Sequence, residues 1–285
     1  MVFSGGHSGK DIGEKRGNPI IILGKILSIL DSQTTLYLNS IDAGTWVTSI
    51  PRKAKGIVTY NSIDLDFLKK ILKKLQSTLQ KQYHNDDISI HVEKLQNQTL
   101  AFDEETTKQI INYLVTFPNG ELIRDKEKEY PVLSTNLGTA WIENHSFLSE
   151  NSIRSNMDEK TTKMLIDRIK GIEKSNCLTT IDTYDFTGYR QNDDSEFINY
   201  LVKKYKEVFK KEPHIKEEHF LLECAWFSKK VPNLEYVSIS PNIYDPHSPF
   251  EKVSISSIKR VWSYIKSVVK DLDKKLEKEN ENEER

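Results

Sequence analysis

VLSTNLGTAW at 132–141 and SFLSENSIR at 146–154 read as two strands, and the elements on either side of them decide the fold. On the N-terminal side, Pro118-Asn119-Gly120 is a turn, and Asp103 to Val115 is a helix capped at its start. Ile88 to Val92 reads as a short strand. Before it, Ser62 and Asp64 open an amphipathic helix with Leu65, Leu68, Ile71, Leu72, Leu75 and Leu79 on one face and solvated lysines opposite. Thr35 to Asn39 and Lys55 to Tyr60 have the alternation and β-branched content of strands, set around the bend Asp42-Ala43-Gly44. Ile50-Pro51 between them restricts the local backbone. Asn18 to Leu30 spaces Ile21, Ile22, Leu23, Ile26, Leu27 and Leu30 as a helix packed on a core. On the C-terminal side of the strand pair, Asp158 to Ile172 is a helix and Leu178 to Tyr184 a strand. Strands and helices alternate up to about residue 185, which describes an α+β layer domain with its helices on one sheet face.

Thr187-Gly188-Tyr189-Arg190 marks a boundary, because the composition turns polar before a new amphipathic helix from Ser195 to Phe209. A short strand near His214 to Glu218, a helix from about Glu223, an apolar strand at Tyr236 to Ile239 and a long loop carrying His247 follow. The helix Ser254 to Leu272 closes this second unit, and Lys274 to Arg285 is a charged tail or frayed helix end. Such a segment is too short for a complete α/β domain and reads as the last portion of one.

The 285 residues are 37% hydrophobic, enough to bury a substantial core in one large or two modest domains. Lys and Arg total 41 against 42 Asp and Glu, so no global field attracts nucleic acid or an anionic membrane. Cys177 and Cys224 lack metal-ligand spacing and read as buried small apolar residues in a reducing compartment. No run approaches the roughly 20 apolar residues of a membrane span. The first residues also lack a signal peptide's charged and apolar regions, so a cytoplasmic protein is expected.

Four residues are candidates for chemistry. His7 lies in Ser4-Gly5-Gly6-His7-Ser8-Gly9, where the glycines allow either a tight turn or close approach to a ligand. His247 stands between prolines in Asp245-Pro246-His247-Ser248-Pro249, after an apolar strand, as a metal ligand or a hydrogen-bonded loop histidine. Arg154 ends a strand, either on the surface or as a bidentate clamp for a carboxylate. Glu223 is a carboxylate within the apolar run Leu221-Leu222-Glu223-Cys224-Ala225, which calls for a partner such as an ion pair, a cap or a ligand.

An ordered set of motifs resembles one family. Gly5-Gly6-His7-Ser8-Gly9, Gly17-Asn18, Ile50-Pro51-Arg52, Pro118-Asn119-Gly120, Ser134 with Asn136 and Gly138, Ile153-Arg154-Ser155, Leu222-Glu223-Cys224 and Pro246-His247-Ser248-Pro249 occur in one order from Ser4 to Leu272. The set is similar to the C-terminal half to two-thirds of the Xaa-His dipeptidases, the aminoacyl-histidine or cytosol non-specific dipeptidases, within the carnosinase and aminoacylase type of di-zinc metallopeptidases. The resemblance implies an α+β lid, or dimerisation, domain over 1–185, the C-terminal part of an α/β zinc-exopeptidase catalytic domain over 186–273, and a charged tail over 274–285.

In that family His247 corresponds to the terminal zinc ligand. His7 corresponds to the lid histidine that reaches the scissile carbonyl, usually of the partner subunit, and stabilises its oxyanion. Arg154 corresponds to a lid arginine near the substrate carboxylate, and Glu223 to a glutamate near the site. Two zinc ions, a water of lowered pKa and a carboxylate base complete the chemistry. One histidine cannot hold such a centre, and the remaining ligands and the base are expected before Met1. His84-Asn85-Asp86, Asp103-Glu104-Glu105 and Glu217-Glu218 spell similar patterns in the wrong context and are read as coincidences. Thr48 stands in place of an asparagine and Val47 of an arginine, while Leu221, Ala225, Ser240 and Asp245 replace glycines. The expected function is therefore a fragment of a dipeptidase, inactive alone, acting as a homodimer through the lid or with a missing N-terminal half. The alternative is a non-catalytic lid or dimerisation remnant, or a subunit pairing with a separate N-terminal half. Neither nucleic acid nor membrane is an expected partner.

Overall fold

Asn18, Asp64, Asp103 and Asp158 each accept a hydrogen bond from a backbone N–H one turn into the helix that follows, and so fix where four helices begin. The structure, a computed structural model, describes residues 1–62, 64–83, 87–96, 100–127, 129–184, 195–215, 219, 224–231, 234–246 and 250–283. In chain order the elements are β1 (Gly6–His7), α1 (Pro19–Asp31), β2 (Leu36–Ala43), β3 (Ser49–Ile50), β4 (Ala54–Tyr60), α2 (Leu65–Gln82), α3 (Glu104–Thr116), β5 (Gly120–Arg124), β6 (Pro131–Glu143), β7 (Ser146–Ser155), α4 (Glu159–Ser175), α5 (Glu196–Phe209), α6 (Ala225–Lys230), β8 (Ile243–Tyr244), β9 (Lys252–Val253) and α7 (Ile255–Glu283). They fall into two compact units, Met1–Gly188 with Glu218–Leu221, and Tyr189–Glu217 with Leu222–Arg285.

The first unit is built on β6, whose residues from Pro131 to Ala140 are all buried. Strand β7 pairs with it antiparallel, from Leu133 opposite Ser155 to Glu143 opposite Ser146. On the other edge, β5 pairs with the start of β6 and β2 with its end, through Asp42–Trp141 and Ala43–Ala140. Strand β4 completes the sheet beside β2. Helices α1 and α3 pack together, so closely that a Cβ at Gly24 would stand 2.5 Å from the Leu114 Cβ. Ile20, Leu23, Leu27, Ile110 and Leu114 join Leu36, Leu38, Leu137 and Ala140 in one apolar core. Burying each such large side chain is worth about 1.5–3 kcal/mol, which holds the unit together.

The second unit has a smaller apolar centre of Leu201, Tyr264 and Val268, where α5 meets α7. The Tyr264 hydroxyl donates to the Leu201 carbonyl at 2.6 Å, and Tyr200 donates to Asp271 at 2.8 Å. Helix α7 continues through most of the charged terminal stretch, to Glu283.

Three expected strands are absent among the described residues, and of a fourth, near His214 to Glu218, residues 214–215 are not in a strand and the rest lies outside the described residues. Over 88–92 only Ser89 forms a bridge, to Val2, because the Ile88 and Ile90 amides bond instead to Gln80 and Gln76 of α2. Over 178–184 the chain turns back onto the end of α4, where Thr180 Oγ1 donates to Glu173 at 2.6 Å, and Ile181 and Tyr184 are exposed. Residues 236–239 have no ladder partner. In each case β propensity has no neighbouring strand to act through. Strand β2 runs on through the expected bend to Ala43, and β5, β8 and β9 are strands that pattern alone did not mark. The cysteines are not buried: Cys177 is exposed and Cys224 half-buried.

One close approach fixes the loop that lies against β6. The loop after β2 crosses β6 at Gly138, where a Cβ would stand 2.6 Å from the Val47 Cα and carbonyl oxygen. Asn136 fastens the same loop by donating to the Val47 and Ser49 carbonyls at 3.1 and 2.9 Å. Both obstacles at Gly138 are backbone atoms and cannot swing aside. Gly138→Ala is therefore expected to destabilise the protein by about 1–3 kcal/mol, seen as a lower urea midpoint. An unchanged midpoint would show that the loop does not press on β6.

Candidate functional site

Short β1 brings His7 to the end of the sheet by pairing with β3, Gly6 opposite Ile50 and His7 opposite Ser49. The chain then turns: His7 N–H donates to Asp11 Oδ2 at 2.8 Å, and Asp11 N–H donates to the His7 carbonyl at 2.9 Å. Within this turn the His7 Nδ1 accepts from the Gly9 and Lys10 amides, each at 3.0 Å. A nitrogen accepting two N–H groups carries no proton, so the neutral ring holds its proton on Nε2.

Ser8, 1% exposed, links this turn to the strand pair. Its N–H donates to the Thr48 carbonyl at 3.1 Å, and its Oγ accepts from Arg154 Nε at 3.3 Å and Nη2 at 3.1 Å. Arg154 lies directly opposite Ser134 in the β6–β7 register and is 5% exposed. Burial lowers its pKa to about 10, and it is still cationic at neutral pH. Among the described residues no acidic group pairs with it or offsets its charge. The surface reading of Arg154 does not hold. A desolvated cation that bonds only to a hydroxyl is a ready receptor for an anion.

His219 completes the cluster, and nothing in the sequence pointed to it. Its Nε2 lies 2.8 Å from Ser134 Oγ, its Nδ1 has no hydrogen-bond partner, and the residue is 3% exposed. Burial, and then the neighbouring Arg154 charge, lower its pKa to about 4. Its carbonyl abuts the His7 turn, where a Cβ at Gly9 would come within 2.5 Å of the oxygen. Glycine is needed there for that approach.

Of the four candidates, His7 and Arg154 are thus joined through Ser8. Glu223 and His247 lie outside the described residues, as do His84-Asn85-Asp86 and Glu217-Glu218. Asp103 is the cap of α3, as its context indicated. Among the described residues no three His, Cys, Asp or Glu side chains converge to hold a metal ion. The His7–Ser8–Arg154–Ser134–His219 cluster, with a buried cation and no carboxylate, does not fit a di-zinc centre. It suits an anionic group instead. Among the described residues no helix is long and apolar enough to cross a membrane.

Residues 4–87 match a family described as the peptidase dimerisation domain. Over 277 residues the chain is 26% identical to the cytosol non-specific dipeptidase of Escherichia coli (strain K12), covering 96% of this chain and 57% of that protein. The crystal structure of aminoacylhistidine dipeptidase from Vibrio alginolyticus superposes with a TM-score of 0.76 at 24% identity, covering 95% of this chain and 56% of that one. The fold is shared with that enzyme, and the chain spans little more than half the length of either relative.

The pKa of His219 has a consequence for stability. The unfolded chain takes up a proton at this ring near pH 6.5, whereas the folded protein resists doing so until about pH 4. Stability therefore falls as pH drops from 6.5 toward 4, by at most roughly 3 kcal/mol from this residue. Urea midpoints at pH 7 and pH 4.5 should fall less for His219→Gln than for the parent. Equal losses would mean that the ring is not held neutral.

Proposed function

We propose that this chain, which is related to the C-terminal portion of the aminoacyl-histidine and cytosol non-specific dipeptidases, serves in dipeptide hydrolysis as the lid and closing segment of a metal-dependent dipeptidase. In this reading residues 1–185 are the lid and dimerisation domain, 186–273 the C-terminal part of the catalytic domain, and 274–285 a charged tail. The observation that carries the reading is the buried Arg154, which meets no acid among the described residues, joined through Ser8 to a histidine whose ring proton lies on Nε2.

A dipeptide has two features that such a pair can recognise. Its terminal carboxylate meets the Arg154 guanidinium, which offers parallel N–H donors. Its scissile carbonyl gains negative charge when water attacks, and His7 Nε2–H donates to that oxygen. A preorganised donor of this kind is worth about 2.7–4 kcal/mol in the transition state. The two amide bonds to Nδ1 keep the ring from tautomerising, so the donor stays in place. His247 would supply one metal ligand and Glu223 would stand near the substrate. The other ligands and the general base for two zinc ions would come from a catalytic portion outside this chain. The site is then completed by a second copy of the chain or by that portion, and the expected setting is the cytoplasm.

The match of residues 4–87 to a dimerisation domain also supports the alternative, a lid module that dimerises without catalysis. Two measurements bear on these readings. The purified chain, with zinc supplied, is expected not to hydrolyse Gly-His, and zinc-dependent turnover abolished by His247→Ala would contradict this. Sedimentation is expected to give dimers, and monomers alone over a broad concentration range would argue against a competent lid.

A further inference from the structure

His219 has no part in the reading above, yet its ring is buried in the cluster with one nitrogen unpartnered. A buried polar atom without a partner costs about 1–3 kcal/mol, and in a native protein it calls for an explanation such as a ligand or a water. The His219 Nδ1 is such an atom. Its surroundings are built on both sides: Ser134 holds Nε2, and the His219 backbone fills the space left by Gly9 in the His7 turn. Ser134 in turn faces Arg154 across the β6–β7 ladder. The group therefore comprises one guanidinium, two hydroxyls and one imidazole, with no acid among them.

We propose that His219 is a specificity-determining residue of the Arg154 site, giving a bound carboxylate its second donor. The proposal rests on the reading of Arg154 as the carboxylate receptor. In this proposal the bond between Ser134 and His219 Nε2 runs from the hydroxyl to the ring; the ring proton then sits on Nδ1, and Nδ1–H is the donor that lacks an acceptor until a carboxylate arrives. Ligands without a negative charge at this end leave Nδ1–H without an acceptor and the Arg154 charge without a counter-charge, and are rejected, because buried donors without acceptors are costly. A bound carboxylate also offsets the Arg154 charge that opposes protonation of His219. Carboxylate binding and proton uptake at His219 therefore favour each other, and affinity rises as pH falls. Among the described residues the charged group facing the His219 ring is Arg154 from β7, and the His7 turn lies against the His219 carbonyl.

The test uses the full chain, labelled with nitrogen-15, titrated calorimetrically with glycylglycine and with glycylglycinamide, while in the parent and the His219 variants the Arg154 Nε–H signal is also followed. Glycylglycine should shift that signal and the amide should not. His219→Phe should weaken glycylglycine binding about tenfold, the equivalent of one hydrogen bond to a charged group. His219→Gln, which cannot take up a proton, should flatten the rise in affinity between pH 7 and pH 5. The Gln variant keeps the proposal falsifiable if Phe perturbs folding. Parent-like affinity and an undiminished pH slope in the His219 variants, with binding lost in Arg154→Met, would overturn the role of His219 alone. Undiminished binding in Arg154→Met, or no effect of glycylglycine on the parent, would overturn the Arg154 reading with it.

Discussion

A guanidinium taken out of water and given, among the described residues, only a hydroxyl to bond is the constraint around which the first unit is arranged. Moving an ion into a protein interior costs several kcal/mol even after relaxation, and a nearby carboxylate is the usual remedy. Arg154 has none among the described residues, and its pKa falls to about 10 as a result. The fold tolerates this because a large apolar core lies behind it, with Leu137 and Ala140 of β6 fully buried between α1, α3 and β2. A strained polar group in a well-packed setting is a common mark of a functional site.

The way the sheet is closed delivers the remaining groups. Gly138 lets the loop after β2 lie on β6, and Asn136 ties that loop down. The Thr48 carbonyl then receives the Ser8 amide, which sets Ser8 under Arg154 and His7 one residue away. The chain thus converts backbone contact at one glycine into the placement of a histidine and an arginine that are 147 positions apart in sequence (154 − 7).

Long amphipathic helices and the β6–β7 pair were legible because their signal is local: capping residues, a 3.6-residue stripe, a run of β-branched residues. Strands expected at 88–92, 178–184 and 236–239 were not borne out, because a strand needs a neighbour and sequence pattern says nothing of where one lies. His7 and Arg154 stood out through glycine context and motif order. Ser134 and Ser8 belonged to the same motifs without announcing a role. His219 carried no signal at all: it lies 85 positions from Ser134, in no periodic element, and only the folded chain makes it part of the cluster. The second unit is less self-sufficient. Its apolar centre is three residues, while Trp262, Ile255 and Phe250 stand more than half exposed.

If Arg154 is kept for ligand recognition and not for stability, removing its charge should leave the fold no worse. The direct measurement is the unfolding free energy of Arg154→Met, which keeps the side-chain length and suits the buried site. Equal or greater stability than the parent, in urea at pH 7, is the result predicted here. A loss of about 3–5 kcal/mol, the cost of breaking a structural buried ion pair, would contradict it.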